Sequence, residues 1–376
     1  MMITYLLVLL FCCISFAVLS PKKSRHSLSD VLKRRKQLIH NNNLVLTKNG
    51  DINTNNNNNN NNNNIDDDDD IGDVKGGNFK SGFIAIIGNP NVGKSTLLNA
   101  LLDQQLCIVS PKPQTTRHRI LGVKTENNYQ LIFSDTPGMV EPAYKLQETM
   151  MDNVKAATGD ADVILLVTDI YSEPLIDNKI MLKLLNTTKP IIIIINKIDI
   201  NSNNINNITS IWQNRIPNNK IILTLSAIKL LNINELINNI LLYIPYGPKY
   251  FPSNTITNRN ERFFTTEIIR ETILDLYQDE IPYNSEVIID SFKDKIIDKL
   301  SVIEATIIVS KDSQKGIIIG KNGIKLKELG IIARKKLENF LCRNIYLSLH
   351  VKCDNDWHIK NDTLYKYGYI EEDDKK

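Results

Sequence analysis

The sequence predicts an α/β nucleotide-binding domain built on a mostly parallel sheet, followed by a smaller α+β domain. Three observations carry this. Apolar runs of strand length, IAII (84–87), VILLVTD (163–169) and IIIIINKID (191–199), alternate with helical patterns, as strands buried on both faces of a parallel sheet do. A G-x-x-x-x-G-K-S run follows the first of them. Beyond a Pro- and Asn-rich junction, the order becomes helix, strand, strand, helix, helix, strand.

The 376 residues suffice for two cores, and 42% hydrophobic with 23% charged residues is ordinary for a globular chain. A formal net charge of +3 singles out no nucleic-acid partner by itself. Cys12 and Cys13 fall in an apolar leader, while Cys107, Cys342 and Cys353 lack the spacing of a zinc site or a disulfide framework.

Residues 3–19 form one apolar run close to bilayer-spanning length, with Ser15 and Ala17 at cleavage spacing. Residues 1–20 therefore read as a signal peptide, with a retained membrane anchor as the competing reading. From Pro21 to Lys48, eight Lys or Arg stand against the single acid Asp30, the composition of an organelle transit peptide. Residues 54–64 are nearly pure asparagine and Asp66 to Asp70 follow, a stretch too polar to offset its chain entropy by burial. Residues 21–77 are expected to be transit peptide and disordered linker, the nucleotide domain to span 78–246, and the second domain 262–376. A signal followed by a transit peptide implies a plastid reached through the secretory route, with a mitochondrion or membrane association as alternatives. Such bipartite leaders, with this Asn, Lys and Ile bias, resemble those of apicomplexan plastid proteins.

In the phosphate loop, Gly88 and Gly93 let the backbone fold around a polyphosphate. The loop residues Asn89, Pro90, Asn91, Val92 and Gly93, with Thr96 beyond them, form an anion nest at a helix N-terminus. Lys94 would reach the β- and γ-phosphates, and the Ser95 hydroxyl would ligate the bridging Mg²⁺. In DTPG (Asp135, Thr136, Pro137, Gly138), the Asp at a strand end can hold Mg²⁺ through water while the Gly N–H faces the γ-phosphate. Asn196, Lys197 and Asp199 suit guanine, because a carboxylate accepts from N1–H and the 2-amino group together. Adenine offers neither donor and would leave Asp199 unpaired, at about 1–3 kcal/mol. The Ser226–Ala227 backbone is placed to meet guanine O6. Each motif alone is an ordinary turn; four in order at strand ends specify GTP and GDP as ligands.

These motifs resemble those of the translation-factor-related GTPases and, within them, the Era family. The stretch SPKPQTTRHRILGV (110–123) is similar to the family's second motif. That implies Thr115 or Thr116, with Thr116 favoured, as the residue closing on Mg²⁺ and the γ-phosphate. Arg117 and Arg119 read as a solvated switch or an RNA contact rather than as arginine fingers. Met139 occupies the place of the water-orienting Gln of many GTPases, which excludes a side-chain amide there. The resemblance implies instead a monovalent cation, usually K⁺, held partly by Asn91. Lys94, Thr116 and Gly138 are the residues expected to act on phosphoryl transfer. Leu230 departs from the family, which commonly has Gly at that place.

The second domain has the element order of a type II KH domain. Its G-x-x-G is Gly320, Lys321, Asn322 and Gly323, a tight turn where backbone can approach RNA phosphates, with Lys321, Lys325 and Lys327 supplying charge. Era-type KH domains carry GKGG here, and Asn322 keeps the skeleton. The junction (NERFFTTEIIRE, EIPY) and the tail DNDWHIKNDTLYKYGY also look like Era, so the resemblance covers roughly 80–370. It implies a GTP-hydrolysing switch gripping the 3′ region of small-subunit ribosomal RNA during subunit assembly, with water as nucleophile. Two other classes compete. An RNA-binding module with a merely structural nucleotide site is argued against by Lys94, Ser95 and Asp135, and a membrane-tethered regulatory GTPase would use the leader as its anchor.

Overall fold

The computed structural model describes residues 44–47, 52–54 and 78–370, apart from 111, 173–180, 182–183, 185, 202–204, 216–219 and 296–299. The signal peptide and the Asn/Asp tract lie outside the described residues. Two short strands, β1 (Leu44–Thr47) and β2 (Ile52–Thr54), fall inside the stretch read as transit peptide and linker.

The nucleotide domain continues with β3 (Lys80–Gly88), α1 (Lys94–Leu102), β4 (Ile120–Glu126), β5 (Tyr129–Asp135), α2 (Lys145–Asp160) and β6 (Val163–Asp169). It goes on through β7 (Ile191–Asn196), α3 (Ile205–Arg215), β8 (Ile221–Thr224) and α4 (Ile233–Tyr243) to β9 (Thr255–Thr257). The strands form one nine-stranded sheet in the order β2-β1-β9-β4-β5-β3-β6-β7-β8. From β5 to β8 every neighbour pair is parallel; β4 runs antiparallel to β5, and β9 antiparallel to β4. The alternation of side chains along β3 explains the two layers. Ile84 and Ile86 face a core shared with Leu97 and Leu101 of α1, while Ala85 and Ile87 face Met150 and Val154 of α2. All four motifs therefore emerge at the carboxyl ends of β3, β5, β7 and β8, parallel strands of one sheet, where ligands of open α/β sheets bind.

The junction read as a Pro- and Asn-rich tether is in fact stitched to the sheet. Thr257 Oγ1 donates to the Leu121 carbonyl at 2.6 Å, and Leu121 N–H donates to Asn258 Oδ1 at 3.3 Å. Asn260 then caps the next helix by accepting from Phe263 N–H at 3.0 Å.

The second domain comprises α5 (Glu261–Leu276), β10 (Ser285–Lys295), β11 (Leu300–Val309), α6 (Asp312–Ile319), α7 (Ile324–Leu341), β12 (Asn344–Cys353) and α8 (Asn361–Lys366). β10 pairs antiparallel and β12 parallel with β11, the order the sequence predicts for a type II KH domain. One core holds it together: Ile269 and Ile273 of α5, Ile303 and Ile307 of β11, and Leu329 and Leu337 of α7. The tail returns to the first domain. Trp357, Leu364 and Tyr369 join the apolar cluster that includes Met139 and Leu146, and Leu146 N–H donates to the His358 carbonyl at 3.0 Å.

Candidate functional site

The phosphate loop closes on itself through contacts its glycines permit. A Cβ on Gly88 would lie 2.1 Å from the Val167 carbonyl oxygen, and one on Gly93 would lie 2.4 Å from Asn196 Nδ2. Gly93, at φ 92°, caps α1, so the first-turn N–H groups around Ser95 and Thr96 face the loop. Lys94 is buried and folds back over the loop, donating to the Gly88 carbonyl at 3.2 Å and the Asn89 carbonyl at 2.8 Å. Burial pulls its pKa from 10.5 down to about 8, with Asp135 opposing. Phosphate oxygens would replace those two carbonyls as partners.

Three oxygen side chains converge beside it. Ser95 Oγ donates to Asp135 Oδ2 at 2.7 Å and lies 3.0 Å from Thr116 Oγ1, which lies 3.5 Å from the same carboxylate oxygen. Of the two switch threonines, Thr116 is the one brought in; the Thr115 carbonyl accepts from Arg270. Asp135 is fully buried, and its Oδ1 has no N–H or O–H partner among the described residues. Burial pushes its carboxyl up, while Ser95, Lys94 and the Cys107 thiol pull it down. Two hydroxyls and a desolvated carboxylate with an unused oxygen are a hard donor set that fits Mg²⁺. Among the described residues no group of three His, Cys, Asp or Glu gathers to hold another metal.

The DTPG turn is packed against the phosphate loop. Thr136 Oγ1 donates to the Ile86 carbonyl at 2.8 Å, and a Cβ on Gly138 would lie 2.8 Å from the Pro90 ring. Met139 donates its N–H to the Gly88 carbonyl at 3.0 Å while its side chain is buried in the core, so no side chain at this position faces the phosphates.

At the base end, Asn196 braces two loops: its Nδ2 donates to the Val92 carbonyl at 2.9 Å, and its Oδ1 accepts from Ala227 N–H at 3.0 Å. Lys197 Nζ donates to the Asn91 carbonyl at 2.5 Å and to Asp169 Oδ2 at 3.0 Å, which ties it to the phosphate loop and to the end of β6. The exposed Asp199 accepts from the Ser226 hydroxyl. The Ser226 N–H donates to the Leu231 carbonyl at 3.3 Å and the Ala227 N–H to Asn196 Oδ1, which places the Ser226–Ala227 backbone beside Asn196. Leu230 sits at φ 56°, which explains why glycine suits this place.

The reading of the switch arginines is corrected. Arg117 is 3% exposed and donates to the carbonyls of Ser285 (2.8 Å), Pro282 (3.0 Å) and Tyr283 (3.0 Å) and to Glu286 Oε2 (2.9 Å). Arg119 is also buried, donating to Ser134 Oγ at 3.0 Å and Asp160 Oδ2 at 2.7 Å. Neither is a solvated or RNA-facing group. Lys112 Nζ adds a bond to the Tyr277 carbonyl at 2.5 Å, and the His118 ring stacks on Tyr369 at 4.4 Å. The switch segment thus lies along the KH domain, an arrangement hidden from sequence reasoning. Its one signal was the pair of junction strings EIIRE and EIPY, which contain Arg270, Pro282 and Tyr283.

The GxxG turn is open at Gly323, where a Cβ would meet nothing within 4 Å, and packed at Gly320, where it would lie 2.8 Å from the Lys325 side chain. Gly320, Asn322 and Gly323 have φ of 70°, 53° and 75°, and Asn tolerates the left-handed region better than most residues. Lys321 and Asn322 are exposed at its tip, and Lys325 and Lys327 are exposed in the first turn of α7. Further along α7, Lys336 is not available to a ligand, being held by Glu271 at 3.0 Å and Asp275 at 2.7 Å on α5.

Comparison with known proteins agrees with this geometry. Residues 83–197 match the 50S ribosome-binding GTPase family and residues 280–358 the KH domain family. The GTPase Era of Clostridium novyi is 42% identical over 294 residues, 78% of this chain and 100% of that protein. The GTPase Era of Staphylococcus haemolyticus is 41% identical over 296 residues, covering 78% and 99%. Among solved structures, Era in complex with MgGDPNP and nucleotides 1506–1542 of 16S ribosomal RNA is 39% identical, with a TM-score of 0.75 over 78% of this chain and 100% of that one. A point variant of Aquifex aeolicus Era bound to GDP·AlF4⁻ is 40% identical with a TM-score of 0.74, at the same coverage.

Proposed function

Because this chain belongs to the Era family of GTPases, we propose that its GTP hydrolysis drives assembly of the small ribosomal subunit in an organelle, through KH binding of the 3′ region of small-subunit RNA. The observation that supports the reading is the union, in one chain, of the gathered Ser95, Thr116 and Asp135 oxygens with a GxxG turn open at Gly323, the switch segment being bonded to both domains. The small subunit is favoured over the large one because the relative solved with RNA holds a 16S fragment.

Mg²⁺, when bound at Ser95, Thr116 and Asp135, supplies positive charge against the β- and γ-phosphate oxygens. Lys94 and the loop N–H groups hold those oxygens in place, and the Gly138 N–H faces the γ-phosphate as charge spreads over it. With Met139 buried, the attacking water is oriented without a side-chain amide. K⁺ is proposed as the additional charge, with Asn91 at the exposed rim of the loop as its protein ligand. Equal turnover in sodium and potassium, with Asn91→Ala harmless, would remove K⁺ from the scheme.

The organelle is proposed to be the apicoplast, on the strength of the apolar run and the basic segment after it. Among the described residues no helix is long and apolar enough to cross a membrane. The competing membrane-tethered reading rests on residues 3–19 alone. A mature N-terminus within or before that run would favour the tether.

Sedimentation of organellar ribosomes with the tagged full chain tests the central reading. Comigration with the small subunit in GDPNP, and release in GDP, is the expected result. Comigration with the large subunit, or with neither in both nucleotides, would overturn it.

A further inference from the structure

We infer that Arg270, in the first helix of the KH domain, is a positioning residue for the magnesium ligand Thr116, so that the Mg²⁺ site of the nucleotide domain is completed from the other domain. The inference rests on the proposed Mg²⁺·GTP reading of the cleft. Arg270 is 1% exposed and its guanidinium is aimed by Glu267, Nε to Oε1 at 2.9 Å and a terminal nitrogen to Oε2 at 2.7 Å. The same terminal nitrogen donates to the Thr115 carbonyl.

That carbonyl belongs to the peptide plane whose other half is the Thr116 N–H. A peptide plane is rigid, so holding its oxygen fixes one end of the Thr116 backbone and hence the arc on which the Thr116 hydroxyl can lie. The hydroxyl is then found 3.0 Å from Ser95 Oγ. On the far side, Arg117 is bound to the 282–286 segment, so Thr116 is bracketed by two contacts to the KH domain. The loop does not hold this shape by its own preference. Gln114, immediately upstream, has φ 59°, a conformation a side-chain-bearing residue avoids without external support.

A lysine at position 270 would keep the charge against Glu267 but has no planar fork to grip carboxylate and carbonyl together. Arg270→Lys in the full chain is therefore the selective test, and Glu267→Met with Arg270→Met a second variant that leaves no buried charge unpaired. Binding of a fluorescent GDPNP is titrated with Mg²⁺, and GDP binding is measured in EDTA. Both variants should raise the Mg²⁺ needed for half-maximal GDPNP binding by about tenfold, as loss of an outer-shell support does. GDP affinity in EDTA should not change, because Lys94 and the loop are untouched. An unchanged Mg²⁺ requirement in either folded variant overturns the inference. So does an equal loss of GDP affinity in EDTA, which marks general damage to the site. If the wild-type chain itself binds GDPNP without regard to Mg²⁺, the reading of the cleft falls first, and that result is seen before any variant is made.

Discussion

The phosphate loop and the GxxG turn both carry paired glycines where backbone could approach a phosphate, yet the protein surrounds them differently. At Gly88 and Gly93 the space a Cβ would take is already filled, by the Val167 carbonyl at 2.1 Å and Asn196 Nδ2 at 2.4 Å. In the GxxG turn only the second glycine differs: a Cβ on Gly320 would lie 2.8 Å from the Lys325 side chain, whereas at Gly323 it would meet nothing within 4 Å and only φ 75° favours glycine. The phosphate loop is therefore shaped by its own fold and exists before its ligand. At Gly323 the GxxG turn leaves room for a ligand that arrives from outside. Both glycines of the first motif are closed in by the protein; in the second motif Gly320 is closed in and Gly323 is left open.

The largest effect that follows is at Gly88. Gly88→Ala forces a methyl against a backbone carbonyl of the adjacent central strand, which cannot move alone, so stability should fall by about 3 kcal/mol. Nucleotide binding should be lost with it. A variant that melts like wild type and binds GTP, measured by calorimetry and fluorescence, would break the contrast at its stronger end.

Gly323→Asp should behave the other way. Asp tolerates the left-handed region, so the strain is about 1 kcal/mol and the domain stays folded by circular dichroism. Its carboxylate then stands where an RNA phosphate approaches, and RNA affinity should fall by about tenfold or more, on the order expected for a lost charge-assisted contact. GTP turnover should persist. Unfolding of the chain would mean that Gly323 is held by its surroundings after all.

How much of this was legible follows the same division. The four nucleotide motifs and the KH element order are written in contiguous residues, and a strand followed by its own loop needs no distant partner to be recognised. Thr116 could be favoured over Thr115 only by resemblance, because the choice depends on Ser95 and Asp135 reaching it through space. Arg117 and Arg119 were misread as solvated because an arginine's burial depends on its acceptors. Those of Arg117 lie 165 to 169 residues away, at Pro282, Tyr283, Ser285 and Glu286. The hold of Asn196 on the Ala227 N–H was not legible for a related reason: the two residues lie 31 apart in the chain.

Lys94 sharpens the comparison by pH. In the nucleotide-free cleft its pKa is about 8, and bound phosphates restore the charged form, so the bound pKa is higher. Below pH 8 the amine is already protonated and affinity is flat; above it, binding must take up a proton and GTP affinity should fall by up to about tenfold per pH unit. The sign reverses for the empty fold. Between pH 8 and 10.5 unfolded Lys94 holds a proton that the folded residue has released, so this group's contribution to folding stability rises with pH. Titrations of GTP affinity across this range, with Lys94→Arg as the variant that cannot deprotonate, check the assignment. A slope that survives in Lys94→Arg would belong to another group.

The smallest expected effect is at Lys321. Its side chain is exposed in the GxxG turn, where it would supply a point charge to an RNA phosphate without shaping the backbone around it. Lys321→Ala should weaken binding uniformly across RNA sequences, because a phosphate contact carries no base information. It should also lower the slope of log affinity against log salt by about one unit, since one fewer counterion is released. Asn322, its neighbour at φ 53°, serves as the internal control: Asn322→Gly restores the commoner GKGG string at a position glycine adopts freely, and should leave the slope as it is. If Lys321→Ala leaves the slope unchanged while changing which RNA is preferred, the residue reads bases rather than phosphate. The open turn would then be a specificity element, and its likeness to the phosphate loop would end at the shared glycines.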